Sequence, residues 1–291
     1  MKNILVTGCN GQLGSELHNL ASKYPKINFF FKDKALDITI KEIIENYLKK
    51  NKINFIINTA AYTNVNNAEI EKQKTDLVNE KGVKNLVELS EKYNCKLIHY
   101  STDYVYNGKD KIPWDEKSTT KPLNYYGISK RKGEKHIENS SCESIIIRTS
   151  WLYSNFGNNF VNAIIKKIQN KDKITVVKDQ FGCPTNAKDL ALDTMNILNS
   201  EIKLDKYGKI YNYSNLGFTN WSNFAKKIIE FLNIEYEIQE VSTEFFKSNV
   251  IRPKYSITNK NKIINTFNLN IPHWEKSLKT YLTNFPLWKM F

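Results

Sequence analysis

The 291-residue sequence predicts an α/β protein built on a parallel sheet with helices on both faces. Three observations predict it. Short apolar runs of three or four residues alternate with long segments whose apolar residues recur at helical spacing. The first run stops at a glycine-rich turn that opens a helix. The length suits one large domain or two closely joined ones.

The elements follow in order. Ile4, Leu5 and Val6 form the first strand, and Leu13, Leu17 and Leu20 mark the helix after the turn. Asn28 to Phe31 is the second strand, and Ile38 to Leu48 a helix that Thr39 can cap. Phe55 to Ile57 is the third strand. Asp76 to Lys92 carries a broad apolar face and reads as one helix. Lys96 to Tyr100 is the fourth strand, Tyr126 to Asn139 a helix, and Ser144 to Ile147 the fifth strand. After Ser150 the rhythm changes. Asn159 to Ile168 is a helix, Ile174 to Val177 a strand, Ala187 to Leu198 a helix, Tyr207 to Tyr213 a strand and Trp221 to Phe231 a helix. The remainder, with its Trp, Phe and Pro residues, reads as part of a smaller cap.

Strands alternating with helices imply right-handed βαβ crossovers, and ligands in such sheets bind beyond the carboxyl ends of the strands. The unusual polar stretches lie at those ends: Thr7 to Gly14, Thr59 to Glu69, Ser101 to Gly108 and Arg148 to Tyr153. The division expected is 1–150 as a dinucleotide-binding domain, with segments near 186–215 returning to it. Residues 151–185 and 216–291 then form the substrate-binding domain.

The charge is +13, which makes nucleic acid, a membrane surface or an anionic small molecule worth weighing. Only Arg131, Arg148 and Arg252 are arginines, and the lysines are scattered. Arginine is the better reader of bases and phosphates, so the balance argues against a nucleic-acid binder. No apolar run reaches the roughly 20 residues that span a membrane. The N-terminus enters a strand directly, without a signal-peptide pattern. Cys9, Cys95, Cys142 and Cys183 form no CxxC pair and, with four histidines, no zinc spacing. They read as packing residues in a cytoplasmic protein.

The turn after the first strand reads Thr7-Gly8-Cys9-Asn10-Gly11-Gln12-Leu13-Gly14. Gly8 permits a tight turn, Gly11 lets backbone approach a pyrophosphate, and Gly14 lets helix pack on strand. The helix N-terminus offers unpaired N–H groups to phosphates. This is a Rossmann-like dinucleotide site. Beyond the second strand, Asp33 suits a ribose diol and hence NADH, whereas Lys32 or Lys34 suits the 2′-phosphate of NADPH. Asp37 lies near the adenine or caps the next helix.

Tyr126 and Lys130 are four residues apart and share a helix face. A tyrosine hydroxyl has a pKa near 10, and a nearby ammonium lowers it. Such a tyrosine can protonate a carbonyl oxygen as hydride reaches the carbon. Lys130 would also hold the cofactor's ribose hydroxyls, and Thr102 offers the substrate oxygen a second hydrogen bond. Tyr125 faces elsewhere and reads as packing.

With these motifs in this order the chain resembles the extended short-chain dehydrogenase/reductases, and among them the dTDP-4-dehydrorhamnose reductase family. The likeness runs through Leu36-Asp37-Ile38-Thr39, Asn58 to Glu69, Ser101-Thr102-Asp103-Tyr104 and Tyr126 to Lys130. It continues through Arg148 to Tyr153, Asn159-Phe160-Val161, Asp179 to Gly182 with Pro184-Thr185, Asp189-Leu190-Ala191, Arg252-Pro253 and Pro272-His273-Trp274. The resemblance implies reduction of the 4-keto group of dTDP-4-dehydro-L-rhamnose by NADPH or NADH, with NADPH slightly favoured. Thr102, Tyr126 and Lys130 would be catalytic. Gly8, Gly11, Gln12, Leu13, Gly14, Asp37, Ala60, Ala61 and Thr63 would join Tyr126 and Lys130 around the cofactor. Thr102, Asp103, Trp151, Asn159 and Arg252 would meet the substrate. It also implies a homodimer. The family usually has Thr-Ala-Val-Asp-Lys-Ala-Glu where this chain has Thr63-Asn64-Val65-Asn66-Asn67-Ala68-Glu69. That departure opens a second reading, a reductase of another nucleotide-activated 4-keto-6-deoxy sugar. A third is a non-catalytic NADP-binding regulatory subunit. The acidic residues with which some members bind Mg²⁺ have no match here, so no metal is expected.

Overall fold

In the computed structural model, which describes residues 2–109, 111–200 and 209–285, six parallel strands form one sheet. In chain order its first half runs β1 (Lys2–Thr7), α1 (Gln12–Leu20), β2 (Ile27–Lys32), α2 (Lys41–Asn51) and β3 (Phe55–Asn58). Two short helices follow, α3 (Val65–Ala68) and α4 (Lys72–Asp76), then α5 (Val83–Tyr93) and β4 (Lys96–Thr102). Next come α6 (Tyr125–Glu138), β5 (Ser144–Thr149), α7 (Phe160–Gln169), β6 (Ile174–Val177) and α8 (Ala187–Asn199). The chain ends with β7 (Lys209–Tyr213), α9 (Trp221–Phe231), β8 (Ile238–Val241), α10 (Asn261–Phe267) and α11 (Trp274–Thr283). Tyr207, where the last sheet strand was expected to start, lies outside the described residues.

The sheet order is β7-β5-β4-β3-β1-β2. The strands run apolar because both faces are covered. One face packs on α1, α8 and α10 through Leu13, Leu17, Leu190, Met195 and Ile263. The other packs on α2, α5 and α6 through Ile44, Leu48, Leu86, Leu89 and Ile137. A separate core gathers α7, α9, α11 and the paired strands β6 and β8 around Val161, Ile164, Phe224 and Leu278. Strand order reverses between β1 and β3, so the crevice for a dinucleotide lies at the ends of those two strands, Thr7 and Asn58. Among the described residues no helix is long and apolar enough to cross a membrane.

Two sequence expectations need correcting. Thr39 caps nothing: α2 starts at Lys41 without a side-chain cap, and the Thr39 N–H is itself taken by Asp37 Oδ1 at 2.8 Å. The expected helix from Asp76 is interrupted by a π-helical turn over Leu77–Gly82. Such turns re-aim a side chain. Here the side chain is Asn79, buried between the loop after β3 and α6.

Candidate active site

The glycine loop ends β1 and leads straight into α1. Gly8 has φ +66°, and a Cβ there would stand 2.6 Å from the Ala60 backbone. A Cβ on Gly14 would stand 2.5 Å from the Gly8 carbonyl oxygen. A Cβ on Gly11 would stand 3.3 Å from that same Gly8 oxygen, a tight contact, so all three glycines answer close backbone approach. Gly11 starts α1 with no side-chain cap, which leaves the first N–H groups of the helix to a ligand. A tight glycine turn leading into an uncapped helix start fits a dinucleotide pyrophosphate. Leu13 is buried under it, and Ala60 and Ala61 form the half-buried opposite wall, with Thr63 exposed beyond.

At the end of β2, Asp33 Oδ2 accepts from Asn10 Nδ2 at 2.9 Å. The Lys32 ammonium sits over the Tyr47 ring, 5.2 Å from its centre. Asp37 is exposed and engaged in its own turn.

The second wall is built by β4 and α6. Asn124 caps α6 by accepting from Gly127 N at 2.9 Å, and its Nδ2 donates to the Ile251 carbonyl at 2.9 Å. One side chain therefore ties the helix of Tyr126 to the segment of Arg252. Asn79 accepts from Tyr62 N (2.8 Å) and donates to Tyr62 O and Ser129 Oγ (3.0 Å each), which fastens the loop after β3 to α6. Arg148 on β5 grips Glu134 of α6 through Nε (2.8 Å) and Nη2 (2.7 Å), and donates to Tyr106 OH at 2.9 Å. This forked, buried pair fixes the helix on the sheet. Tyr125 turns away and donates to Asp76 at 2.6 Å.

Thr102, Asp103 and Lys130 are buried and Tyr126 is half-buried. Thr102 Oγ1 donates to Asp103 Oδ1 at 3.1 Å. Burial pushes the Asp103 carboxyl up to about 7, against the hydroxyls of Ser256 and Thr102. Burial likewise pushes Tyr126 up to about 12, although the neighbouring Thr102 hydroxyl works the other way. The expectation that Lys130 lowers the tyrosine is not met in this arrangement. The Lys130 ammonium is drawn instead to the Tyr100 carbonyl, 2.7 Å away, and burial brings it down to about 8.

Beyond the Tyr126 ring, edge-on at 5.8 Å, stands Tyr104, which lines a cleft of about 1460 Å³. The cleft also takes in Gln180, Trp221, Lys109, Lys111, Lys247, Arg252 and Lys254. Asp179 and Glu244, its acidic residues, are both held by Lys254, at 3.4 Å and 3.1 Å. The cleft is therefore basic, as an anionic ligand requires. Arg252 donates to two neutral oxygens, Ser248 Oγ (3.2 Å) and Asn66 Oδ1 (2.6 Å).

A family model described as the RmlD substrate binding domain matches residues 1–286. The chain belongs to the RmlD family. A dTDP-4-dehydrorhamnose reductase of Aggregatibacter actinomycetemcomitans is 34% identical, over 96% of this chain and 98% of that one. The spore coat polysaccharide biosynthesis protein SpsK of Bacillus subtilis is 35% identical over 97% of each chain. A crystal structure of a Bacillus anthracis dTDP-4-dehydrorhamnose reductase in complex with NADP superposes with a TM-score of 0.90 at 36% identity, covering 97% of this chain and 99% of that one.

Two residues expected at the substrate are engaged otherwise in this RmlD-family chain. Asn159 caps α7 and donates to Gln12 Oε1 at 3.1 Å, so it joins the glycine loop to the second core. Trp151 adopts φ +47°, lies against Gly182 and stacks on Trp221 with ring centres 3.5 Å apart. Trp221, not singled out from the sequence, is the indole of that stack lining the cleft. Asn79, Asn124, Glu134 and His99 were missed as well. An unpaired Asn or His inside an apolar run was the one available signal.

Proposed function

We propose that the chain reduces the 4-keto group of dTDP-4-dehydro-L-rhamnose to dTDP-L-rhamnose with NADPH or NADH. The observation that carries this reading is the Tyr126 ring packed edge-on against Tyr104, which lines a basic cleft. The cofactor, when bound, supplies the hydride. Gly8, Gly11, Gln12, Leu13 and Gly14 would cradle its pyrophosphate, and Ala60, Ala61 and Thr63 would line the facing wall.

The rest is the work of side chains. Burial keeps Tyr126 protonated across the neutral range, which is the form a proton donor needs. As negative charge develops on the sugar oxygen, Tyr126 delivers its proton, and Thr102 turns its hydroxyl proton from Asp103 to the same atom. Arg252 receives the diphosphate, where a planar fork binds best. Trp221, backed by the Trp151 indole stacked on it, offers the sugar a flat wall. Residues 151–185 and 216–291 form the substrate-binding domain. NADPH is slightly favoured: Lys34 suits a 2′-phosphate, and the Bacillus anthracis relative was solved with NADP. Four free thiols suit a reducing cytoplasm. The reading includes a homodimer, checked by sedimentation.

Asn66 favours a second reading. It contacts Arg252, so the departure from the family pattern lies at the substrate's charged end. That suits a sister reductase acting on another nucleotide-activated 4-keto-6-deoxy sugar. Incubation with a panel of defined dTDP-4-keto sugars, with products identified by NMR, separates the readings. Turnover of dTDP-4-dehydro-L-rhamnose is expected. Turnover of only another sugar would replace the first reading by the second. Binding without cofactor oxidation on any sugar would point to a regulatory subunit.

A further inference from the structure

Beneath the catalytic residues, four polar side chains from four elements form one buried chain: Thr7 of β1, Asn58 of β3, His99 of β4 and Lys130 of α6. None is more than 2% exposed. The hydrogen bonds fix their proton positions. A main-chain N–H can only donate, so the Asn58 atom that Ala60 N reaches at 3.2 Å is the carbonyl oxygen. Thr7 Oγ1 donates to the same oxygen at 2.7 Å. The amide nitrogen of Asn58 therefore faces His99 Nδ1, at 2.9 Å. That nitrogen can only donate, so Nδ1 carries no proton. The neutral imidazole then has its hydrogen on Nε2, and an imidazolium would set two donors head to head. Burial acts in the same direction and holds His99 well below its ordinary pKa.

His99 Nε2 lies 3.4 Å from Lys130 Nζ. An ammonium there meets an N–H, whereas a neutral amine meets it with a lone pair. The other groups around Lys130 do not cancel this preference. Glu134, on the same helix, favours the ammonium, but its carboxylate is shared by Arg148 of β5 and Arg131. The Tyr100 carbonyl of β4 accepts from either form. Tyr126, one turn back on α6, is uncharged, and Asp103 acts on Tyr126.

We propose that His99 is a positioning residue for Lys130, presenting Nε2–H to the lysine nitrogen so that Lys130 can release a proton toward Tyr126 at working pH. The protons balance. Tyr126 gives one to the sugar oxygen, Lys130 replaces it, and the amine left behind accepts the His99 hydrogen bond until solvent restores its proton. This inference rests on the reductase reading for its substrate, yet part of its test does not.

The test has two parts. In the unmodified protein with cofactor bound, ¹⁵N-histidine NMR should find His99 neutral, with Nδ1 bare and the proton on Nε2. A proton on Nδ1 would overturn the inference, whatever the enzyme reduces. In the second part, kcat/KM is followed against pH. Loss of the Lys130 proton sets the alkaline limb, so activity falls as pH rises through it. His99→Gln can turn its amide oxygen to the ammonium, and His99→Phe removes the N–H. Both should move the limb upward, by about one pH unit, with Gln ahead of Phe. A purely structural role predicts a lower thermal midpoint and an unmoved limb, and that result in His99→Gln would overturn the inference. Wild-type inactivity toward keto sugars would instead count against the proposed function.

Discussion

The buried group behind Tyr104, the inner end of the site, and the cleft in front of it, the outer end, are built on opposite plans. At the inner end Thr102, Asp103 and Lys130 are at most 5% exposed. At the outer end Arg252 is half-exposed, Lys109, Lys111 and Lys254 are exposed, and Phe218 and Phe246 stand 58% and 51% open. Burial sets proton affinities at the inner end, because a low-dielectric surround penalises charge. The outer end works through long-range attraction, which salt screens. Chemistry should therefore fail sharply when the inner end is altered, and binding should drift when the outer end is.

The largest effect expected is from Tyr126→Phe. It should lower kcat by about 10²–10⁴-fold, the usual worth of a positioned proton donor, while cofactor affinity by fluorescence titration stays near wild type. Near-normal turnover would remove Tyr126 from the mechanism. Arg148→Met tests whether the inner end is held from behind. It leaves Glu134 buried without its forked partner, and should cost about 3–5 kcal/mol in denaturant unfolding. A loss well under that range would mean α6 is anchored elsewhere.

A milder change is expected at the outer end. Asn66→Asp places a carboxylate 2.6 Å from the Arg252 fork and sets it in competition with the substrate diphosphate. KM for the dTDP sugar should rise several-fold with kcat little changed, and binding of free dTDP should weaken in parallel. A fall in kcat alone would contradict the division between the two ends. The last effect is on the pH dependence of stability. The Asp103 carboxyl ionises near 3.8 in an unfolded chain and near 7 in the fold. Between about pH 4 and 7 unfolding then releases a proton, so stability falls as pH rises and levels off above 7. Asp103→Asn should flatten that part of the thermal-midpoint profile. An unchanged slope would mean that Asp103 ionises inside the fold as it does outside.

The same division governs what could be read from the sequence. The parallel sheet was legible because buried strands write themselves as runs such as Phe55-Ile56-Ile57, and the glycine loop because Gly8 and Gly14 answer backbone constraints. Tyr126 and Lys130 were legible from their four-residue spacing. The direction of the Lys130 ammonium was not, since it depends on the Tyr100 carbonyl and on His99, whose register beside α6 is set by packing. The π-helical turn escaped for a related reason. Leu77 to Lys92 has helical periodicity throughout, and only the contacts of Asn79 with Tyr62 and Ser129 expose the extra residue. Asn66 stood out as a departure in the motif, but its partner lies 186 residues away.

One labelling experiment tests the central claim most directly. The protein is given dTDP-4-dehydro-L-rhamnose and a nicotinamide cofactor carrying deuterium at the transferable C4 position, and the product is read by NMR. The account predicts dTDP-L-rhamnose with deuterium at sugar C4 and none elsewhere. An unlabelled product, or label at any other carbon, would contradict it.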